Sequence, residues 1–230
     1  MKHIKNFILA FIFINSITNL NAQSKAKYWL SPEGEIIENH NIRNISSAYP
    51  DNSMGFRKTN DSGFVYQYNV PKYSTFKVNY KIIKTHLEQI SNKKFSDSTV
   101  FLLKFWYYDD PCSDVYSNEM TKGLISNRKS FLNPIKKSTE KQYNNLIFIH
   151  LFDKNVKLKK NIKEENEYFF NDKVNFFREN LFLYPTLCGS YCIIKPNGET
   201  LIRNGEYRID WMAEHLNSKN WKQFFNIKSE

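Results

Sequence analysis

Two nearly continuous apolar runs constrain this chain more than any other feature of it. Thr99 to Tyr108 (TVFLLKFWYY) and Asn145 to Phe152 (NLIFIHLF) are apolar or aromatic at successive positions rather than at alternate ones. That is the pattern of strands covered on both faces. Between them lies a lysine-rich segment, Asn118 to Tyr143, that reads as helix, kinked or split at Asn133-Pro134. Strand, helical crossover and strand imply a right-handed parallel pair in one sheet.

The flanking segments extend this pattern. Val78, Ile82, Ile83, Leu87 and Ile90 recur at helical spacing, with Lys77, Lys81, Lys84 and Glu88 on the other side. Lys157 to Glu167 is a charged connection. Tyr168 to Phe182 has helical character, with Phe170, Val174, Phe177 and Leu181 on one side. Ser190 to Lys195 and Glu199 to Arg203 form a hairpin across Pro196-Asn197-Gly198, and a last helix, Ile209 to Phe225, carries Trp211, Met212, Leu216 and Trp221. The fold class is therefore α/β, with a central mixed sheet, an antiparallel edge and helices on both faces. Upstream, residues 28–75 are rich in strand and loop. One hairpin turns at Ser31-Pro32-Glu33-Gly34 and a second, Met54 to Tyr68, turns at Asn60-Asp61-Ser62-Gly63; Asn39 to Asn52 is loop.

The amino terminus reads as a secretory signal. Lys2 and Lys5 precede the apolar Phe7 to Ile14, and Ala22 offers a small-residue cleavage point before Gln23. The apolar run falls short of the roughly 20 residues that span a bilayer. The expected organisation is thus a signal peptide at 1–22, a strand-rich extension at 23–75 and the main domain at 76–230, exported to the periplasm or secreted. Cleavage leaves 208 of 230 residues and lowers the net charge from +10 to +8. Such a charge suits an anionic surface or a protein partner. Nucleic acid is a weak candidate, because the lysines are scattered and an exported chain rarely meets it. The sequence does not name the partner. Three cysteines in an exported chain permit one disulfide and one free thiol.

The order of elements and three local motifs resemble the thioredoxin-like superfamily. The aromatic end of TVFLLKFWYY is followed by Pro111-Cys112, which resembles the second half of that family's Cys-x-Pro-Cys turn. Tyr184-Pro185-Thr186-Leu187 resembles the loop whose cis-proline faces the turn, and Ile193 to Glu199 resembles the last hairpin, with Gly205 just beyond. The resemblance covers about two-thirds of the chain and implies a thioredoxin-like central mixed sheet flanked by helices. It also implies that the loops of Cys112 and Cys188 face each other, which makes these two the disulfide candidates. Cys192 is then a buried thiol on a strand. The cysteine motif is incomplete. With Cys112 as the second cysteine, Asp109 stands in the place of the first; with Cys112 as the first, Val115 stands in the place of its partner. Either Pro185 is the cis-proline, or Gly189-Ser190 replaces it.

Two functions follow. One is a noncatalytic binding or assembly role on a degenerate scaffold. The other is a thiol-dependent oxidoreductase or peroxidase, with Cys112 reacting and Cys188 resolving. The turn position favours a Cys112 thiolate through the helix terminus, whereas Asp109, Asp110 and Asp114 oppose it by like charge. His40, His86, His150 and His215 are scattered, with His150 a satisfied core residue. No metal-ligand spacing, cofactor signature, phosphate-binding glycine loop or serine nucleophile elbow stands in the sequence. The acidic turn lacks the Gly and Glu of a calcium loop.

Overall fold

The computed structural model describes residues 27–37, 47–59, 63–112, 118–159 and 166–225. The signal segment, His40, Asp114, Val115 and most of the second hairpin's turn lie outside them. In chain order the strands are β1 (Lys27–Leu30), β2 (Asn52–Lys58), β3 (Phe64–Pro71), β4 (Tyr73–Lys77), β5 (Val100–Trp106), β6 (Glu119–Met120), β7 (Leu146–Asp153), β8 (Lys157–Leu158), β9 (Phe169–Asp172), β10 (Ser190–Ile194) and β11 (Glu199–Asn204). The helices are α1 (Tyr80–Ser91), α2 (Lys122–Gln142), α3 (Phe176–Asn180), α4 (Ile209–Glu214) and α5 (Ser218–Phe224).

Six strands form the main sheet, in the order β4-β11-β10-β5-β7-β9. The two apolar runs are its centre: β5 and β7 pair in parallel, with Leu102 opposite Phe148 and Leu103 opposite Ile149. β10 returns antiparallel on the other side of β5, and β11 and β4 continue antiparallel to the edge. β4 spans the expected boundary at 75/76 and belongs to this sheet. Along β5 the side chains alternate between two cores. Phe101, Leu103 and Phe105 join Ile83 and Leu87 of α1 and Phe177 of α3; Leu102 and Trp106 join Ile125 and Leu132 of α2, Met212 of α4 and Trp221 of α5. The helices cover both faces, as the doubly apolar strands require.

β1, β2 and β3 form a separate three-stranded sheet, β1 parallel and β2 antiparallel to β3. It packs Phe56, Phe64 and Tyr66 onto the α1 face of the main sheet. The first expected hairpin is rudimentary, with a single bridge between Leu30 and Ile36.

Three expectations are corrected. Tyr168 to Phe182 is not one helix: Phe169 and Phe170 add the edge strand β9 to β7, and only Phe176–Asn180 is helical. The helical spacing there was coincidental, since Val174 is exposed while Phe169 is fully buried. α2 is not split at Pro134 but runs through it. Pro134 is exposed, so water can satisfy the carbonyl that its missing N–H leaves free. The last helix is two, because Leu216 and Asn217 bond back by three residues, to the carbonyls of Ala213 and Glu214, which closes α4 before α5 starts.

Candidate functional site

The turn that ends β5 and the loop that enters β10 meet at one end of the central strand. β5 and β10 are antiparallel neighbours, with Phe105 opposite Ser190, so residues leaving one lie beside residues entering the other. Cys112 and Cys188 meet there and form a disulfide across 76 residues, with Cα atoms 4.9 Å apart. The two halves differ: Cys112 is exposed and Cys188 is buried. The loop reaches this position through positive φ at Cys188 (67°) and Gly189 (78°). A Cβ on residue 189 would lie 2.4 Å from the carbonyl oxygen of Phe105, so only glycine lets the loop lie on the strand.

Asp110 stands between the two cysteines. Its Oδ1 accepts the backbone N–H of Cys112 at 3.0 Å and that of Cys188 at 3.1 Å. One carboxylate thereby ties both half-cystine backbones. Its Oδ2 is buried without a partner. Burial pushes this carboxyl up to about 6, against the amide bonds and the charge of Lys104, which pull it down.

A buried hydroxyl network backs the loop. The Tyr107 hydroxyl lies 3.0 Å from Ser190 Oγ, which lies 2.8 Å from Thr186 Oγ1 and donates to Asn204 Oδ1 at 3.0 Å. Thr186 in turn donates to the Gly189 carbonyl at 3.0 Å. The N-terminal sheet reaches the same loop, where Phe56 N–H donates to the Pro185 carbonyl at 3.2 Å and Leu187 N–H to Met54 at 3.0 Å.

On the α2 face, one row of the sheet is unusually polar. Lys104 has Tyr191 opposite it on β10 and His150 opposite it on β7. Its Nζ lies 4.9 Å from the Tyr191 ring centre and 5.9 Å from that of Trp106. Arg128 of α2 brings its guanidinium carbon 4.4 Å from the same Trp106 ring. Burial, and then the charge of Arg128, lower Lys104 to about 8. His150 is fully buried, and neither ring nitrogen has a hydrogen-bond partner. Burial holds it well below its usual range, hence neutral. It is not the satisfied core histidine that the sequence implied.

The other expected residues fall as follows. The bond before Pro185 is trans, as are all described peptide bonds, so Pro185 is not a cis-proline. Its carbonyl is engaged with β2, and Gly189 rather than Pro185 lies against β5, four residues nearer the strand. Cys192 is a free, fully buried thiol whose pKa burial raises far above the usual range. Asp109 turns away into a reciprocal pair with Asn118, with both contacts at 2.7 Å. His86 is half-buried and stacks on Phe176, and His215 caps the end of α4. Among the described residues, no group of three or more acidic, histidine or cysteine side chains could hold a metal ion.

A parallel central pair, a following antiparallel hairpin and a sulfur centre where the two loops meet define the architecture. The fold is a mixed α/β sheet flanked by helices on both faces. No family model matches the sequence, and no curated protein does. A solved structure described as MTB dsbF in its mixed oxidised and reduced forms is similar at 13% identity, over 53% of this chain and 81% of that one, with a TM-score of 0.31. The sequence reading missed the roles of Asp110 and Lys104. Lys104 did leave a signal: a lysine at an inward position of a doubly apolar strand must be paired or functional.

Proposed function

We propose that this is an exported protein whose thioredoxin-like scaffold serves binding or assembly, with the Cys112–Cys188 disulfide closing the loops where the family's redox centre would act. One observation carries the reading: the disulfide joins two separate loops, and Asp110 bonds to the backbones of both cysteines. A redox turn keeps its two sulfurs in one short segment that can open without moving the rest. Here reduction would free two loops that a single carboxylate holds in register. The negative charge of Asp110 also opposes a thiolate beside it. Export rests on the signal-like first 22 residues. Among the described residues no helix is long and apolar enough to cross a membrane.

The unequal exposure of the two cysteines favours a second reading, thiol–disulfide exchange with an external dithiol. The dithiol's thiolate would attack exposed Cys112 Sγ, break the S–S bond and release Cys188 as a thiolate that takes up a proton. The dithiol's second thiolate would then attack the mixed disulfide, leaving as the cyclic disulfide and returning Cys112 as a thiol. An assay of dithiothreitol-driven reduction of a disulfide substrate separates the readings. The scaffold reading expects the uncatalysed rate for wild type and for Cys112→Ser alike. Turnover that is lost in Cys112→Ser would replace it with the second.

A further inference from the structure

We infer that Lys104 and Arg128 form a binding site for a single carboxylate on the α2 face, beside the disulfide. Both cations converge on the Trp106 ring, one from the central strand and one from the helix above it. Lys104 is buried and Arg128 is half-buried, yet neither forms an ion pair with a carboxylate among the described residues. Two like charges held over one indole repel each other, and desolvation adds to the cost. Proteins keep buried cations where something negative meets them.

The surrounding groups define what that is. His150, the cross-strand neighbour of Lys104, is unpartnered and fully buried in the same row. It adds polarity without charge. Asp110 and Glu206 act on Lys104 through space, but neither is within ion-pair reach. They act only at longer range and leave the two cations without a negative charge in contact, so that a monoanion suits the site better than a phosphate dianion. Tyr191 and Trp106 wall the site with aromatic faces. The Lys104 chain passes 3.8 Å from where a Cβ on Gly189 would stand, next to Cys188. A carboxylate bound here therefore lies beside the closed loops. It can belong to a free organic acid or to an acidic side chain of a partner.

The test uses the oxidised mature protein, so its outcome does not depend on whether the disulfide is redox-active. The indole N–H of Trp106, one of four tryptophans, is assigned by comparison with Trp106→Phe and followed by NMR. The protein is titrated with N-acetylglutamate α-amide and with its neutral twin, N-acetylglutamine amide. A saturable shift with the first and none with the second is expected. Arg128→Gln and Lys104→Met should each weaken it at least about tenfold, the loss expected for one charge-assisted hydrogen bond. Arg128 is only half-buried, so its variant reads binding with less disturbance of the core than Lys104→Met. Succinate binding as tightly as the amide would indicate a free acid, whereas an acidic peptide binding more tightly than either would indicate a protein partner. Equal shifts with both twins, or a shift unchanged in Arg128→Gln, would overturn the site.

Discussion

Asp110 bears an electrostatic load that its partners only partly relieve. Its folded-state value, about 6, lies above the 3.8 of a free side chain. The protonated carboxyl is therefore favoured by folding, and its contribution is complete below about 4 and is lost as the pH rises through about 6. The loss is at most about 3 kcal/mol. Asp110→Asn keeps an oxygen for the two cysteine amides and removes the charge, so the variant's urea midpoint should be flatter between pH 4 and 7 than wild type's. An equal slope in the two proteins would place the titration elsewhere. Lys104 works in the opposite sense: its value is lowered to about 8, so stability is lost as the pH falls through that value. Lys104→Met should therefore raise stability at pH 7 by roughly 2 kcal/mol, a gain measurable by urea melts and typical of a residue kept for function. His150→Leu, which removes two buried orphan nitrogens, should add about 1 kcal/mol by the same measurement. The cysteines were legible because cysteine is rare and its chemistry narrow. Asp110 was visible only as a charge near a thiol, because the hydrogen bond from Cys188 reaches it across 78 positions.

Among the elements, the loop into β10 is the most constrained. Gly189→Ala forces a side chain into the left-handed region and against the Phe105 carbonyl, which should cost at least about 2 kcal/mol. A fall in thermal midpoint with the disulfide still intact would show that the cost lies in the backbone. The disulfide closes a long loop, so Cys112→Ser with Cys188→Ser should lower stability by roughly 4 kcal/mol, read from denaturant midpoints. Elements whose own pattern decides them were readable: β5 and β7 from nearly continuous apolarity, α1 from its helical spacing, and the β10–β11 hairpin from Asn197-Gly198. β9 was not, because Phe169 and Phe170 become a strand only through the free edge of β7, a fact about position rather than about composition. The break between α4 and α5 was hidden for a similar reason. Met212 and Trp221 both face the core from separate helices, and they mimic one continuous stripe.

At the scale of the whole molecule, the N-terminal sheet is part of the core rather than an ornament. Phe56, Phe64 and Tyr66 lie in one cluster with Phe105, Tyr107 and Phe182, and β2 bonds to the loop that carries Cys188. Each buried aromatic contributes on the order of 1.5–3 kcal/mol. Deleting residues 23–71 should therefore abolish cooperative unfolding in calorimetry, while the intact mature chain melts in a single transition. A separate, sharp transition for the shortened chain would mean that the two sheets are independent.

Cys192 gives the arrangement a further consequence. It sits four positions from Cys188, yet β10 buries it completely. Before that strand docks, all three sulfurs compete on equal terms, and the nearest neighbour in sequence is the wrong mate. Oxidant that arrives too soon traps scrambled species; oxidant that arrives after docking finds two sulfurs within reach and the third shielded. Correct linkage is thus a matter of timing, set by how fast β10 inserts beside β5.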